Sequence, residues 1–266
     1  MGVLQEIVER RKGRLRDTKA SVPFEEIKAR LRDAAPARDF RGAVTRPQGG
    51  RIKLIAELKK ASPSRGVIRR DFDIEGISRI YTEGGASAIS VLTEEDYFQG
   101  DISYILRIKG VTDLPVLRKD FIFDEYQVFE ARAYGADAIL LIASILSNSQ
   151  AGELYGLASE LGLSVLFEVH NYKEVDTALL LDLPIIGINN RDLETLDIDL
   201  RRTVDIMKDI PDGRVIVSES GIETRDDVEM LDGKGIDALL IGTSLMKPRD
   251  IGSRINELFR GIWYNE

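Results

Sequence analysis

The sequence predicts a closed (β/α)8 barrel, an α/β fold of eight parallel strands, preceded by a helical extension, and three observations carry that expectation. The chain has 266 residues, close to the roughly 250 typical of a single barrel domain. From about Arg51 onward, eight short apolar runs rich in β-branched residues alternate with longer stretches of helical periodicity. The runs are apolar almost throughout, as strands buried on both faces of a parallel sheet should be, and their spacing leaves room for one helix per crossover. An open doubly wound sheet is the alternative, because one miscounted strand exchanges the two architectures.

Taken in order, residues 1–50 read as a helical extension with a connecting loop and 51–266 as the barrel, within one domain. Helical periodicity covers 4–14 and 23–33, segments that either cap the bottom of the barrel or lie over its mouth. The stretch 34–50, with Pro36, Pro47, Gly49 and Gly50, reads as a loop. The strand runs follow at 53–59 (KLIAELK), 88–92 (AISVL), 115–118 (PVLR) and 138–142 (AILLI), then at 165–168 (VLFE), 185–188 (IIGI), 215–218 (VIVS) and 238–241 (ALLI). Between them, the helical patterns at 124–134 and 149–161 close on Gly135 and Gly162, glycines in the helix-stopping position.

Composition removes several kinds of chemistry. There is no cysteine and one histidine, so disulfides, thiolate nucleophiles, iron–sulfur clusters and multi-histidine metal sites are excluded. Acid–base work falls mainly to Glu, Asp and Lys. With 37 Lys+Arg against 45 Asp+Glu the net charge is −8, which opposes a nucleic-acid partner, since phosphate neutralisation needs surplus basic residues on one face. The first residues are charged from Glu6 onward and lack the apolar core of a signal peptide, and Glu6 stands where a myristoylation signal needs Ser or Thr. The strongest apolar run, 138–146, is interrupted by Ser144 and is too short to cross a bilayer. The expectation is a cytoplasmic protein with no membrane partner.

In such barrels the active site forms at the C-terminal strand ends. There the first run gives Glu57, Lys59 and Lys60, then Ser62-Pro63-Ser64; the third gives Arg118-Lys119-Asp120, the fifth Glu168, and the sixth Asn189-Asn190-Arg191-Asp192. Glu57 and Lys59 are two apart and share one side of the strand, whereas Leu58 points oppositely. They read either as a working pair or as a salt bridge closing the barrel top. Lys119 reads as functional or as part of a solvated turn. Glu168 is either a desolvated base of raised pKa or a residue tipping into solvent beside His170. His170 itself reads as structural. Ser220-Gly221 and Gly242-Thr243, after the seventh and eighth runs, put small residues where backbone N–H groups can approach an anion, which suggests a phosphorylated substrate.

With these residues in place, the chain resembles the indole-3-glycerol phosphate synthases, tryptophan-pathway lyases of the phosphate-binding TIM-barrel class. The resemblance rests on IAELKKASPS at 55–64, SVLTEE at 90–95 with Tyr97, Phe98 and Gly100, RKDF at 118–121, GINNRDL at 187–193, SESGI at 218–222 and IGTSLM at 241–246. It spans essentially the whole chain. It implies a cofactor-free and metal-free decarboxylase that closes the pyrrole ring of indole. Its substrate would be 1-(2-carboxyphenylamino)-1-deoxyribulose 5-phosphate, which loses CO2 and water.

By that resemblance Lys119 is the general acid for ring closure, Glu168 serves the dehydration, Lys59 binds the substrate carboxylate and Glu57 orients the lysines. Asn189, Glu219 and Ser220 complete the catalytic set, and Asn189, Glu219 and Arg191 hold the hydroxyl and carboxylate groups. Phe98, Phe121, Leu140 and Leu193 form the slot for the anthranilate ring, while Ser62, Gly221, Gly242 and Thr243 hold the phosphate. The resemblance also implies a monomer, with association with another tryptophan-pathway enzyme as the alternative. One departure stands out: Ala61 occupies a position where some family members carry a phosphate-neutralising lysine. The rival readings are another phosphosugar barrel, either an isomerase or a Schiff-base aldolase, and a barrel that only binds phosphosugars.

Overall fold

The computed structural model describes residues 2–32, 34–192, 195 and 197–263. Eight strands close into a parallel barrel: β1 (Lys53–Leu58), β2 (Ala88–Leu92), β3 (Val116–Lys119), β4 (Ala138–Ile142), β5 (Ser164–Val169), β6 (Ile185–Asn189), β7 (Val215–Glu219) and β8 (Ala238–Ile241). Each pairs with its successor, and β8 returns to β1 with Lys53 opposite Ala238. The open sheet is thereby ruled out. Three strands, β2, β4 and β8, have the bounds read from the sequence, and the others differ only at their ends.

Period-two alternation splits each strand between two cores. Leu54, Ala56 and Leu58 of β1 face outward into the apolar shell beneath the helices, so Leu58 does point away from the mouth. Ile55 faces inward, in one buried cluster with Leu117, Leu166 and Val217. Two residues further along these same inward faces stand Glu57, Lys119, Glu168 and Glu219. The polar layer therefore rests directly on an aliphatic one.

Of the crossover helices, α4 (Ile74–Glu83) is capped by Asp73 and α5 (Tyr104–Lys109) has no side-chain cap; the next three each begin at one. Asp124 caps α6 (Glu125–Ala133), Ser147 caps α7 (Asn148–Glu160) in a reciprocal capping box with Gln150, and Asn171 caps α8 (Tyr172–Leu180). Gly135 and Gly162 follow α6 and α7 with φ of 83° and 74°, the left-handed conformation that stops a helix.

Of the two helical segments expected at the mouth or the bottom, the first reaches the mouth and the second packs on a crossover helix, so neither closes the bottom. Helix α1 (Val3–Ser21) runs past the expected 4–14, and α2 (Phe24–Leu31) starts just after Pro23. At the mouth end, Leu4 of α1 lines the cleft and Arg11 grips Asp120, just beyond β3, through two hydrogen bonds of 3.0 and 2.8 Å. Phe24 of α2 packs edge-on against Phe129 of α6. The expected loop at 34–50 contains a further helix, α3 (Phe40–Val44), capped by Asp39. Phe40 and Val44 are fully buried and close the barrel's bottom by joining its interior cluster. The Pro and Gly residues that suggested a loop flank this turn and do not interrupt it.

Candidate active site

Lys119 lines the cleft at the C-terminal end of the barrel. Its side chain is 15% exposed, and its Nζ lies 3.0 Å from Glu168 Oε2 and 2.7 Å from Glu219 Oε2. Lys59 pairs separately with Glu57 Oε1 at 2.8 Å. Arg118 and Asp120, neighbours of Lys119 in sequence, alternate to the opposite face. There Arg118 is fully buried and binds Asp120, Glu130 and the Gln127 carbonyl. This corrects the solvated-turn reading of the RKD triplet: both flanking charges sit in a closed network that holds the strand end and leaves Lys119 facing the cleft.

Charge and burial set unequal proton affinities here. Burial would lower the Lys119 pKa, but attraction from Glu168, Glu219 and Glu57 outweighs it and leaves the ammonium above its ordinary range. Burial would likewise raise both partner carboxylates. Glu168 is nonetheless held below the ordinary range by Lys119, His170 and Asn189. Glu219 is pushed up to about 7: burial and repulsion from Glu168 and Glu57 prevail over the attraction of Lys119. The two carboxylates titrate as a pair, and the proton they share near neutrality resides on the Glu219 side. Neither expectation for Glu168 holds, since it is desolvated yet charged.

Glu219 Oε1 is buried and has no hydrogen-bond partner among the described residues. Two glycines make room for this layer. A β-carbon at Gly187 of β6 would collide with the Glu219 carboxylate, and one at Gly242 with that of Glu57. Gly242 thus carries a constraint beyond the approach to phosphate expected of it.

Most of the other residues singled out in the sequence converge on the same cleft. Asn189 donates to Glu168 Oε1 at 3.1 Å. Arg191 lines the wall, its pKa lowered by burial and by the nearby Arg65. Phe98 and Phe121 form a tilted pair with ring centroids 6.2 Å apart, and Leu140 lies in the same lining; Leu193 lies outside the described residues. Ser220 and Gly221 take consecutive positive φ values of 66° and 84°, an uncommon backbone state for a serine, and they line the cleft with Gly242 and Thr243. Ser62 differs. It is buried in a short hairpin pairing Ala61–Ser62 with Gly66–Val67 and is not part of the lining.

Sequence reasoning missed Arg65, Ile198 and Leu4, all of which line the cleft. Arg65 follows the quoted motif directly, so its position was a usable signal. Leu4 and Ile198 carried none, because only folding brings them to the mouth. Among the described residues, no group of three or more His, Asp or Glu side chains is disposed to hold a metal ion, and no helix is long and apolar enough to cross a membrane.

Comparison with known proteins extends the sequence resemblance. The family model described as indole-3-glycerol phosphate synthase matches residues 4–258. A protein of that name from Alkaliphilus metalliredigens is 42% identical over 260 residues, covering 98% of this chain and 99% of its own. One from Rhodopirellula baltica is 45% identical over 251 residues, covering 94% and 96%. Among solved structures, KGPDC from Streptococcus mutans superposes with a TM-score of 0.60 at 12% identity, over 80% of this chain and 100% of its own. Thiamine phosphate pyrophosphorylase from Pyrococcus furiosus gives 0.60 at 18%, over 79% and 95%. At such identities these two speak for the barrel alone. With the family model and full-length relatives agreeing on a chain whose strand ends carry this set of lysines and carboxylates, the protein belongs to the indole-3-glycerol phosphate synthase family.

Proposed function

We propose that this chain converts 1-(2-carboxyphenylamino)-1-deoxyribulose 5-phosphate to indole-3-glycerol phosphate, CO2 and water, with Lys119 and the Glu168–Glu219 pair moving the protons. The observation that carries the division of labour is Lys119 Nζ held between two carboxylates of opposite proton affinity. Ring closure needs a proton donor at the ribulose C2 carbonyl, so that the aromatic carbon bearing the carboxylate can attack it. Lys119 is the cation at the floor of the cleft able to meet that oxygen. The new C–C bond leaves the aromatic carbon tetrahedral, and loss of CO2 from it restores the ring.

Dehydration then takes the C2 hydroxyl as water and a proton from C1. It calls for one acid and one base. Glu219, which keeps its proton to about pH 7 and has an unpartnered oxygen, suits the acid, and the charged Glu168 suits the base. Lys59, held by Glu57, and Arg191 are the cations for the substrate carboxylate, while Phe98, Phe121 and Leu140 take the anthranilate ring. The phosphate end faces the Ser220-Gly221 and Gly242-Thr243 backbone, with Arg65 supplying charge in place of the cation that Ala61 lacks. We read the extension and the barrel as one domain, because Leu4 and Arg11 reach the site. A Schiff-base aldolase is disfavoured, since an ammonium clamped by two carboxylates is a poor amine nucleophile. The test is fluorescence detection of indole-3-glycerol phosphate from the purified substrate; absence of product from folded protein overturns the reading.

A further inference from the structure

The chain's one histidine lies two residues beyond the proposed base, between two carboxylates, and no step above uses it. His170 occupies the two-residue link between β5 and α8. Its side chain is 8% exposed. Its backbone N–H donates to Glu174 Oε2 at 2.7 Å, and its ring Nδ1 lies 3.1 Å from that same oxygen. Asn171 completes the clamp. Its Nδ2 donates to Glu174 Oε1 at 2.8 Å while its Oδ1 accepts from the Glu174 backbone N–H. Glu174 is thus fixed at the start of α8, and it fixes the ring. The other ring nitrogen, Nε2, is buried 3.2 Å from Glu168 Oε1 but is not aligned as a hydrogen bond.

A neutral imidazole carries one N–H only. Between two carboxylates it would turn a lone pair on one of them at about 3 Å, a repulsive contact. A ring protonated on both nitrogens hydrogen-bonds Glu174 through Nδ1 and sets its positive charge 3.2 Å from Glu168. Among the described residues, no other charged group pairs with the ring. Strands β4 and β6 on either side of β5 bring no titratable side chain, nor does the turn Ala143–Ile145 packed against β5 and α8. Glu153 and Glu160 of α7 and Lys173 and Asp176 of α8 are exposed. Lys119 of β3 faces Glu168 from its far side.

We propose that His170 is a positioning residue for the acid–base pair, an imidazolium that holds Glu168 as the charged partner and thereby leaves Glu219 to carry the proton. The two carboxylates share Lys119 at 3.0 and 2.7 Å, so the lysine alone does not make Glu168 the charged one. Asn189 and His170 lie on the Glu168 side only, and of these two only His170 can bring a charge. Consistently, burial lowers the ring's proton affinity but Glu168 and Glu174 more than restore it, to about 9. The role of Glu168 rests on the proposed function; the state of the ring does not.

With a single histidine, one imidazole Cε1–H signal reports the titration without assignment. In the full-length protein its NMR midpoint should lie above pH 8 and fall by at least one unit in Glu174→Gln; a midpoint below 8 overturns the proposal. Steady-state kinetics then read the consequence. In His170→Asn, kcat at pH 7.5 should drop at least tenfold with KM within twofold, and the alkaline limb of kcat near pH 9 should vanish. In Glu174→Gln, which keeps the ring, that limb should move down with the NMR midpoint. A limb that stays in place while the midpoint moves, or a His170→Asn kcat within twofold of the parent, overturns the positioning role. If the parent forms no product, the functional reading fails, and the NMR titration still decides the state of the ring.

Discussion

Replacing Lys119 by Met removes the cation that bridges Glu168 and Glu219, and the geometry gives the size of the effect. Two charge-assisted contacts of 3.0 and 2.7 Å disappear, together with the donor proposed for the reacting carbonyl. Loss of a general acid costs about 10²- to 10⁴-fold in rate, or about 3 to 5 kcal/mol of barrier, and the loss should fall on kcat. Lys119→Arg separates proton transfer from charge. A guanidinium keeps the cation but does not give up its proton in a protein, so Arg should recover the fold's stability while staying within about tenfold of Met in turnover. Glu168 and Glu219 should meanwhile answer the missing ammonium by binding more protons, so the Met variant should lose stability as pH rises above 7. The assay is kcat at saturating substrate by product fluorescence, with thermal melting at pH 6 and 8. A Lys119→Met kcat within about threefold of the parent refutes the acid role, because that is under 1 kcal/mol of barrier.

Three further outcomes follow from particular contacts. Gly187→Ala sets a methyl against the Glu219 carboxylate; it should cost at least about tenfold in kcat and, as overpacking, about 1 to 3 kcal/mol of stability, and an unchanged kcat would contradict the room-making role. At Gly242 any side chain meets Glu57, so Gly242→Asp should lower kcat as well as raise KM, where the phosphate reading alone expects KM to change; steady-state kinetics with inorganic phosphate as competitor separate the two. Arg191→Lys replaces a fork by a point charge and should cost about tenfold in kcat/KM, roughly 1.4 kcal/mol, equal kinetics showing that the guanidinium makes no carboxylate contact.

The fifth prediction is a stability profile. The pKa of His170 is raised from 6.5 to about 9 in the folded protein, so its contribution is full below pH 6.5 and lost as pH rises through 9. That shift corresponds to about 3 kcal/mol. The stability gap between parent and His170→Asn, measured by denaturant titration, should narrow across that window, and a pH-independent gap would count against it.

The barrel was legible because its strands must be apolar on both faces, and an uninterrupted apolar run is a strong local signal. The charged residues that converge on the cleft were legible for the same reason, since a lysine or glutamate closing such a run stands out. Helix α3 was hidden because its apolar residues, Phe40 and Val44, are too few to show a period, and the turn residues around them carry a stronger local signal. Charges such as Arg118 and Asp120 misled because burial is decided by partners distant in sequence, here Arg11 of α1 and Glu130 of α6. The split between Glu168 and Glu219 was invisible for a related reason. It depends on which carboxylate has a second cation beside it, and β5 and β7 are adjacent to different loops.

The four charged side chains of the inner layer come from β1, β3, β5 and β7, the odd strands, as one layer of a barrel interior should. The even strands meet this layer with Gly187 of β6 and with Gly242 beyond β8, whose missing β-carbons give space to Glu219 and Glu57. Beneath it, Ile55, Leu117, Leu166 and Val217 keep the odd strands in register through ordinary packing. Isolated ions are costly to bury, so an ionic layer needs neighbours that neutralise it: Lys59 beside Glu57, Lys119 between Glu168 and Glu219, and His170 behind Glu168. Four carboxylates, Glu174 included, meet two lysines and one histidine, so when all the bases are protonated one negative charge is left over. Glu219 is the member with no cation of its own and an unpartnered oxygen, and the surplus falls there as a pKa near 7. The imbalance that makes this layer a poor structural core is thereby what gives it a group able to exchange a proton at neutral pH.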